Sequence, residues 1–218
     1  MPPAKKILRR WQAAHGARAV TTTYSRIIAS VQQYYGVIAM TNIRWYGRGG
    51  QGAFTVARLL GEIVSVYGGK YALAYPSFGP ERRGAPVWSF TKIGDEKIVD
   101  RSQPAKSTYL VVLDETLMTE SIGDYLEEDG VLILNTSKPE RYTFIKHKTV
   151  CLDATKMALK IMGRPITNVV MLGAFAKVSG MVALENAEVV LANSFKGSLL
   201  EKNKQLLREA YNAVKGGV

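Results

Sequence analysis

The clearest chemistry in this sequence lies in a glycine-rich segment, Gly47-Arg48-Gly49-Gly50-Gln51-Gly52. Its glycines satisfy the pattern G-x-G-x-x-G and stand between a predicted strand and a predicted helix, the context that gives the pattern meaning. Glycines allow a tight turn that brings main-chain N–H groups close to a phosphate, and the start of the helix adds partial positive charge. The segment therefore predicts an anion-binding loop, and a tight turn without a ligand is the alternative.

A dinucleotide site would require more than these glycines. An acidic residue is expected about 20 positions further on, where it binds the ribose hydroxyls, but no Asp or Glu stands between Glu62 and Glu81. The sequence therefore argues against NAD, although the arginines still allow NADP. Arg48, inside the segment, favours an anion or a carboxylate on a neighbouring chain as its partner.

A second segment combines adjacent arginines with glycine and proline: Glu81-Arg82-Arg83-Gly84-Ala85-Pro86. Guanidinium groups match phosphates and carboxylates in geometry, so this segment is a second candidate for anion binding. A solvated turn in which Glu81 pairs with one arginine is the better interpretation of the segment taken alone, because surface ion pairs are common and weak.

No complete catalytic motif occurs. The sequence has two histidines and lacks H-E-x-x-H, G-x-S-x-G and C-x-x-C. Cys151 is the single cysteine, and its apolar neighbours predict a buried thiol. One cysteine excludes an internal disulfide and also a complete iron–sulfur or structural zinc site on this chain. Asp114 ends a predicted strand, where active-site carboxylates occur in open α/β sheets; a strand-end or N-cap residue is the ordinary interpretation, and its role stays open.

The elements that would position these residues follow an α/β pattern from residue 42 onward. Short runs rich in β-branched residues predict strands over residues 43–46, 71–75, 87–93, 109–113, 131–134 and 150–152. Apolar spacing predicts helices over residues 53–67, 116–126, 154–163, 168–182 and 187–194, and a last helix opened by a capping box of Ser198 and Glu201. We expect a Rossmann-like α/β fold in one domain, with a mixed or mostly parallel sheet covered by helices.

The charge of the chain is unevenly distributed. The net charge is +11, and residues 1–40 contain six of the 29 basic residues and none of the 18 acidic ones. The rest of the chain has no basic stripe of the kind that binds nucleic acid. We expect residues 1–40 to be a basic N-terminal extension or arm, with a transit peptide as the alternative, and residues 41–218 to form the domain. The longest apolar run, residues 169–176, is too short to cross a bilayer, so we expect a soluble, cytoplasmic protein.

Four ordered blocks together resemble the gamma-type subunits of the 2-oxoacid:ferredoxin oxidoreductase family, and the pyruvate type above all. The blocks are the glycine segment, Phe78-Gly79 with residues 81–87, Asp153-Ala154-Thr155, and Gly163-Arg164-Pro165-Ile166 followed by Asn168 and Met171-Leu172-Gly173-Ala174.

The resemblance implies a multi-subunit enzyme that oxidatively decarboxylates a 2-oxoacid, most closely pyruvate, and yields acyl-CoA, carbon dioxide and reduced ferredoxin. It implies thiamine diphosphate and iron–sulfur clusters on alpha, beta and delta-type partner subunits, and a shared coenzyme A site to which this chain contributes without a catalytic or metal-binding residue. The site residues so implied are Gly47, Arg48, Gly49, Gly50, Gln51, Gly52, Glu81, Arg82, Arg83 and Asn168.

Three alternatives remain open at this point. The glycine segment and the arginines either bind the phosphates of coenzyme A or brace the thiamine-bearing subunit. A stand-alone Rossmann-like oxidoreductase that binds NADP is a different class of protein, and a purely architectural subunit without a ligand is another.

Overall fold

The computed structural model describes residues 40–77 and 83–215, and in these residues six strands form one mixed sheet. The strands are β1 (Thr41–Arg48), β2 (Tyr71–Pro76), β3 (Pro86–Gly94), β4 (Ser107–Val112), β5 (Leu126–Asn135) and β6 (Lys148–Leu152). Their order across the sheet is β2-β3-β1-β4-β5-β6. The neighbouring strands β1, β4, β5 and β6 run parallel to one another, whereas β3 is antiparallel to both β1 and β2. The six predicted strands and the mixed, mostly parallel sheet are confirmed.

Five α-helices occur in the described residues: α1 (Ala53–Val66), α2 (Ala154–Met162), α3 (Asn168–Ser179), α4 (Leu184–Ser194) and α5 (Gly197–Ala213). The start of α2 follows the sequence expectation, because the Asp153 carboxylate accepts a hydrogen bond from the Lys156 N–H at 2.8 Å. Its end does too, since Gly163 adopts a φ of 71° in the left-handed region.

The helix predicted over residues 116–126 is wrong. Two short 3₁₀ segments, Glu115–Leu117 and Glu120–Tyr125, occupy this stretch, and the chain between them is extended. Thr119, Ser121 and Gly123 are poor helix formers, and they interrupt the apolar spacing that suggested a helix. Leu117 and Ile122 are still buried, so the apolar residues pack as expected without a helix to carry them.

The capping box predicted for the last helix is also wrong. Lys196 is the N-cap of α5, no side chain caps the first turn, and Ser198 lies inside the helix. Gly197, at a φ of 55°, begins the helix two residues earlier than the pattern of Ser198 and Glu201 suggested.

All five α-helices contribute to one large apolar core on a single face of the sheet. Ile43 and Trp45 of β1 belong to this core, whereas the smaller core on the other face includes Leu110 and Val112 of β4 together with Ile122. The helical cover is therefore one-sided among the described residues, and the 3₁₀ segments and loops cover part of the second face.

Two buried cations, Arg44 and Lys92, hold the segment between β3 and β4 against the second face of the sheet. The Arg44 guanidinium lies 4.5 Å from the ring centre of Tyr125 and donates a hydrogen bond to the carbonyl of Pro104. Lys92 donates from Nζ to the Asp100 carboxylate at 2.8 Å. Both cations are 3 % exposed, so their partners replace the water that burial removes.

Helix α3 is the centre of the large core. Ten of its 12 residues are buried, which is why its sequence is apolar on every side. Gly173 is required at its contact with α5, since a Cβ there would stand 2.4 Å from the Leu207 carbonyl oxygen. No helix among the described residues has the length and apolar character to span a membrane.

Candidate functional site

The glycine segment connects β1 to α1 at the carboxyl end of β1. Gly50 and Gly52 have φ angles of 95° and 80°, which strain any residue with a Cβ. At Gly47, a Cβ would stand 3.2 Å from Oε1 of Gln51. The turn therefore requires glycine at positions 50 and 52, of which only Gly52 belongs to the pattern G-x-G-x-x-G, whereas a Cβ at position 47 would crowd the movable end of the Gln51 side chain.

Gly52 also brings the starts of two helices together. A Cβ on Gly52 would stand 2.5 Å from Nδ2 of Asn168, the first residue of α3. Asn168 is 6 % exposed, and its Oδ1 accepts a hydrogen bond from the N–H of Val169 at 2.9 Å. The structure thus places Asn168, a residue singled out only by resemblance, directly against the glycine segment.

Arg48 and Gln51 are held by a carboxylate of the same chain. Nε of Arg48 lies 3.2 Å from Oδ2 of Asp114, and Nε2 of Gln51 donates to the same oxygen at 2.9 Å. Oε1 of Gln51 accepts a hydrogen bond from the N–H of Arg48 at 2.7 Å. The carboxylate partner considered for Arg48 is therefore present within this chain, and Asp114 is the N-cap of the following 3₁₀ segment.

The electrostatics of Asp114 favour its charged form. Burial alone would raise the pKa of this carboxyl, but hydrogen bonds from Thr116 and Gln51, with the nearby charge of Arg48, outweigh burial and lower the pKa below its ordinary value. Asp114 therefore remains a carboxylate throughout the neutral range.

The described part of the arginine segment is attached to the glycine segment. The N–H of Gly49 donates to the Ala85 carbonyl at 2.8 Å, and the N–H of Gly84 donates to the Gly49 carbonyl at 3.1 Å. Nη1 of Arg48 donates to the Gly84 carbonyl at 3.0 Å. Arg83 is exposed at the end of this described stretch, while Phe78, Gly79, Pro80, Glu81 and Arg82 lie outside the described residues.

Thr167 is the N-cap of α3, and it carries an unsatisfied polar atom. It is 3 % exposed, and its Oγ1 has no hydrogen-bond partner among the described residues. Neither N-cap residue, Gly52 of α1 or Thr167 of α3, caps its helix through a side chain, and only the Val169 amide at the start of α3 has a side-chain acceptor in the described part of the chain, Oδ1 of Asn168. Amide groups at the first turn of a helix need an acceptor from outside the helix, and a negatively charged group is the acceptor that the helix dipole favours.

A cleft of about 880 Å³ opens beside these groups, and Thr167, Gly50 and Gln51 line it. Polar residues at the end of β5 and directly after β5 and β6 form part of its lining: Asn135, Thr136, Ser137, Asp153 and Thr155. Apolar residues also line it, namely Leu159, Pro165 and Ile166, and so do the cations Lys156 and Arg164. Ligands of open α/β sheets bind in a crevice at the carboxyl ends of the parallel strands, and this cleft lies there.

Asn135 ties three elements together below the cleft. Its Nδ2 donates to the Leu113 carbonyl at 2.7 Å and to Oγ1 of Thr155 at 3.0 Å. Its Oδ1 accepts a hydrogen bond from the N–H of Thr155 at 3.2 Å. The ends of β4 and β5 and the start of α2 are thereby fixed relative to one another, which makes this part of the cleft rigid.

Comparison with known proteins identifies the family. Residues 42–213 match the family described as pyruvate ferredoxin/flavodoxin oxidoreductase. This chain belongs to that family. The resemblance inferred from the four sequence blocks is confirmed.

Curated members of the pyruvate ferredoxin/flavodoxin oxidoreductase family match over almost their whole length. The chain is 44 % identical over 174 residues to pyruvate synthase subunit PorC of Methanocaldococcus jannaschii, covering 79 % of this chain and 96 % of the relative. It is 43 % identical over 178 residues to the pyruvate/ketoisovalerate oxidoreductases common subunit gamma of Pyrococcus abyssi, again covering 79 % of this chain and 96 % of the relative.

Solved structures agree with the fold. Pyruvate oxidoreductase subunit PORC of Thermotoga maritima matches with a TM-score of 0.71 and 38 % identity, over 81 % of this chain and 97 % of that one. The 2-oxoglutarate:ferredoxin oxidoreductase of Magnetococcus marinus matches with a TM-score of 0.65 and 15 % identity, over 81 % of this chain and 32 % of that one. The second likeness is one of fold alone.

The one cysteine and the potential metal ligands of this family member are candidates for reactive groups among the described residues. Cys151 is half-buried on β6 instead of fully buried, and desolvation raises the pKa of its thiol, which disfavours the reactive thiolate. Within residues 40–77 and 83–215, no group of three or more His, Cys, Asp and Glu side chains could hold a metal ion. The cleft offers main-chain amides, hydroxyl groups, the cations Lys156 and Arg164, and the carboxylates Asp114, Glu115 and Asp153.

Sequence reasoning missed several residues of this cleft. The polar runs Asn135-Thr136-Ser137 and Asp153-Ala154-Thr155 directly follow predicted strands, and that position was a usable signal, because the carboxyl ends of parallel strands share one edge of the sheet. Thr167 gave no such signal, since its unsatisfied hydroxyl is visible only in three dimensions.

Proposed function

We propose that this chain is the gamma-type subunit of a multi-subunit pyruvate:ferredoxin oxidoreductase and that it contributes to the coenzyme A site. The overall reaction joins the acyl group of a 2-oxoacid to coenzyme A, releases carbon dioxide and passes the electrons to ferredoxin. The names of the relatives support the subunit assignment, because they are subunits of pyruvate synthase and of pyruvate and ketoisovalerate oxidoreductases.

One observation carries the coenzyme A assignment: the starts of α1 and α3 meet at Gly52 and Asn168 beside the cleft. Neither helix is capped by the side chain of its N-cap residue. Phosphate groups bind at such helix starts, because the amides supply hydrogen bonds and the helix dipole favours negative charge. Coenzyme A carries its negative charges on phosphates, and the buried hydroxyl of Thr167 would donate a further hydrogen bond to them.

The rest of the cleft also suits coenzyme A. The ligand combines a charged nucleotide with a long pantetheine arm of mixed polarity, and the cleft combines polar residues such as Thr136 and Thr155 with apolar ones such as Leu159 and Ile166. A volume of about 880 Å³ lies within the range of ligand sites, roughly 300–1,000 Å³. The cations Lys156 and Arg164 are candidates for additional phosphate contacts.

We assign the redox chemistry to partner subunits of the alpha, beta and delta types. One cysteine cannot supply the four ligands of an iron–sulfur cluster, so the clusters and thiamine diphosphate would lie on other chains. A cytoplasmic location fits this assignment, because ferredoxin-linked metabolism and a lone free thiol suit a reducing compartment.

Titration of the assembled complex with coenzyme A tests the proposal. Thr167→Val keeps the shape of the side chain and removes its hydroxyl, whereas Thr167→Ser keeps the hydroxyl and serves as the matched control. A hydrogen bond to a charged group contributes about 1.5–3 kcal/mol, so Thr167→Val should weaken coenzyme A binding about 10- to 100-fold and Thr167→Ser much less.

Equal affinities for all three proteins would contradict a role for Thr167 and remove a main support of the proposal. A purely architectural subunit would then be favoured, a reading that fits the engagement of Arg48 by Asp114 within the chain. Tight binding of NADP by the isolated chain would instead favour the stand-alone oxidoreductase.

A further inference from the structure

Asp114 is fixed from both sides at the carboxyl end of β4. Oδ1 accepts hydrogen bonds from the N–H of Thr116 at 3.0 Å and from its Oγ1 at 2.6 Å. Oδ2 accepts one from Gln51 at 2.9 Å and lies 3.2 Å from Nε of Arg48. This carboxylate therefore joins the loop after β4 to the loop after β1.

The two residues of the glycine segment that Asp114 contacts also control the shape of that segment. Gln51 and Arg48 are joined by two hydrogen bonds. Oε1 of Gln51 accepts one from the main-chain N–H of Arg48 at 2.7 Å, and the main-chain N–H of Gln51 donates the other to the Arg48 carbonyl at 2.9 Å. Nη2 of Arg48 donates to Oγ1 of Thr116 at 2.7 Å, and Nη1 donates to the Gly84 carbonyl at 3.0 Å. The polar side chains of the segment are thus satisfied within the chain.

Two main-chain amides of the segment, those of Gly50 and Gly52, are left for a ligand by this arrangement. No hydrogen bond between described residues uses the N–H of Gly50 or of Gly52, and both glycines have the positive φ angles that are found where main-chain amides form anion-binding sites. A segment without the carboxylate would lose the acceptor that holds Gln51 and Arg48, and it would sample other shapes before binding.

We propose that Asp114 is a positioning residue that holds the glycine segment in its ligand-binding conformation through Gln51 and Arg48. The inference rests on the proposed function, because it assigns coenzyme A to this segment. Asp114 contacts the segment and not the ligand, and its contribution is preorganisation: the loop is ordered before coenzyme A arrives, so binding does not have to order it.

Electrostatic repulsion alone predicts the opposite effect of Asp114 on coenzyme A affinity, so an experiment can distinguish repulsion from positioning. Asp114 lines the cleft, and a carboxylate near a phosphate site repels the ligand. Glu115, the neighbouring carboxylate, accepts hydrogen bonds from Thr136 and from Tyr142, so it does not replace Asp114. Removal of the Asp114 charge should strengthen coenzyme A binding if charge dominates, and weaken it if positioning dominates.

Asp114→Asn in the assembled complex provides the test. Asparagine keeps the size of the side chain, but its amide nitrogen cannot accept hydrogen bonds from Gln51 and Arg48. We expect the KM for coenzyme A to rise about 10-fold, while the KM for the 2-oxoacid stays within about twofold, since positioning acts only on the coenzyme A site. Glu188→Gln, which removes a partner of Arg208 on the helical side, should change neither KM.

A second variant combines Asp114→Asn with Gln51→Glu and exchanges the amide and the carboxylate. The exchange restores a donor–acceptor pair between positions 114 and 51 and keeps a carboxylate beside Arg48. We expect this variant to recover most of the lost coenzyme A affinity, a rescue that a general loss of stability would not show.

An unchanged or lower KM for coenzyme A in Asp114→Asn overturns the inference while leaving the proposed function intact, provided that Thr167→Val still weakens binding. If Thr167→Val has no effect either, the proposed function fails and the inference fails with it. If Asp114→Asn does not assemble, the exchanged pair decides: recovery of assembly and of the KM supports the inference. A raised KM in the exchanged pair, or failure of both variants to assemble, overturns it.

Discussion

Gly52 lies so close to Asn168 that a Cβ at position 52 would stand 2.5 Å from the amide nitrogen of Asn168. The contact joins the first turn of α1 to the first turn of α3, although the two residues are far apart in the sequence. Glycine at this position is therefore required twice, once by its φ of 80° and once by its neighbour.

Gly52→Ala should lower both stability and coenzyme A affinity. A residue with a Cβ in the left-handed region costs about 1–2 kcal/mol, and displacement of Asn168 adds a packing cost of about 1–3 kcal/mol. Thermal unfolding and the KM for coenzyme A are the measurements.

Gly69→Ala is the matched control for this change. Gly69 has a φ of 63° and no heavy atom within 4 Å of the place of a Cβ, so it carries the conformational cost alone. Equal destabilisation by the two substitutions would show that the contact with Asn168 contributes nothing.

The double variant Arg82→Ala, Arg83→Ala separates the two roles predicted for the arginine segment. Loss of coenzyme A affinity in an intact complex is expected if the guanidinium groups bind phosphates, because arginine forms charge-assisted hydrogen bonds with them. Native mass measurement gives the assembly, and titration with coenzyme A gives the affinity.

Loss of assembly would instead indicate that the arginines brace a partner subunit. Arg141→Ala, an exposed arginine on the short turn before β6, controls for the removal of positive charge. Unchanged assembly and affinity in the double variant would contradict both roles.

Acid should destabilise the domain in part through Asp100. Hydrogen bonds from Lys92 and Ser102 hold the pKa of this carboxyl well below its ordinary value, so the folded state keeps Asp100 charged at a pH where the unfolded chain binds a proton. The stabilising effect is complete above the unfolded pKa of about 3.9, and it is lost as the pH falls toward the lower pKa of the folded state.

The unfolding temperature of the wild type should therefore fall more between pH 5 and pH 2.5 than that of Asp100→Asn. The variant should also be less stable at pH 7, because buried Lys92 loses its carboxylate partner. Glu96→Gln, at an exposed neighbouring site, is the control; parallel curves for wild type and Asp100→Asn would contradict the prediction.

Gly173→Ala should destabilise the contact between α3 and α5. A Cβ at this position would stand 2.4 Å from the Leu207 carbonyl oxygen, and a backbone atom in a helix cannot move aside cheaply, so we expect a loss of about 1–3 kcal/mol. Chemical denaturation measures it.

Gly163→Ala controls for the loss of a glycine at a site with open space, since no heavy atom lies within 4 Å of its Cβ position. Gly163→Ala should lose stability only because alanine is strained at the left-handed φ of this position. A neutral effect of Gly173→Ala would mean that the two helices separate without penalty.

The strands and the glycine turn were predictable because local features decide them. Runs such as residues 131–134 favour strands through their own side chains, and a G-x-G-x-x-G segment between a strand and a helix has few ways to fold. The helix prediction for residues 116–126 was wrong because the local signals disagree there. The apolar residues are spaced as in a helix, but Gly123 and its polar neighbours favour turns, so tertiary packing determines the structure of this segment.

The partners of the site residues were not predictable. Arg48 meets Asp114 because β1 pairs with β4, with Tyr46 opposite Val112, and the order of strands in a sheet cannot be read from local sequence. Asn168 could be named only through the family pattern. The same limit applies to Thr167, whose burial depends on how α3 enters the core.

The enclosure of α3 also decides how the site behaves over time. Ten of its 12 residues are buried by other elements, so its amide protons should exchange with solvent only when the whole domain unfolds. The residues at its first turn are therefore attached to the most stable part of the domain, and the pocket that we propose for coenzyme A would keep its shape in the subunit even between catalytic cycles.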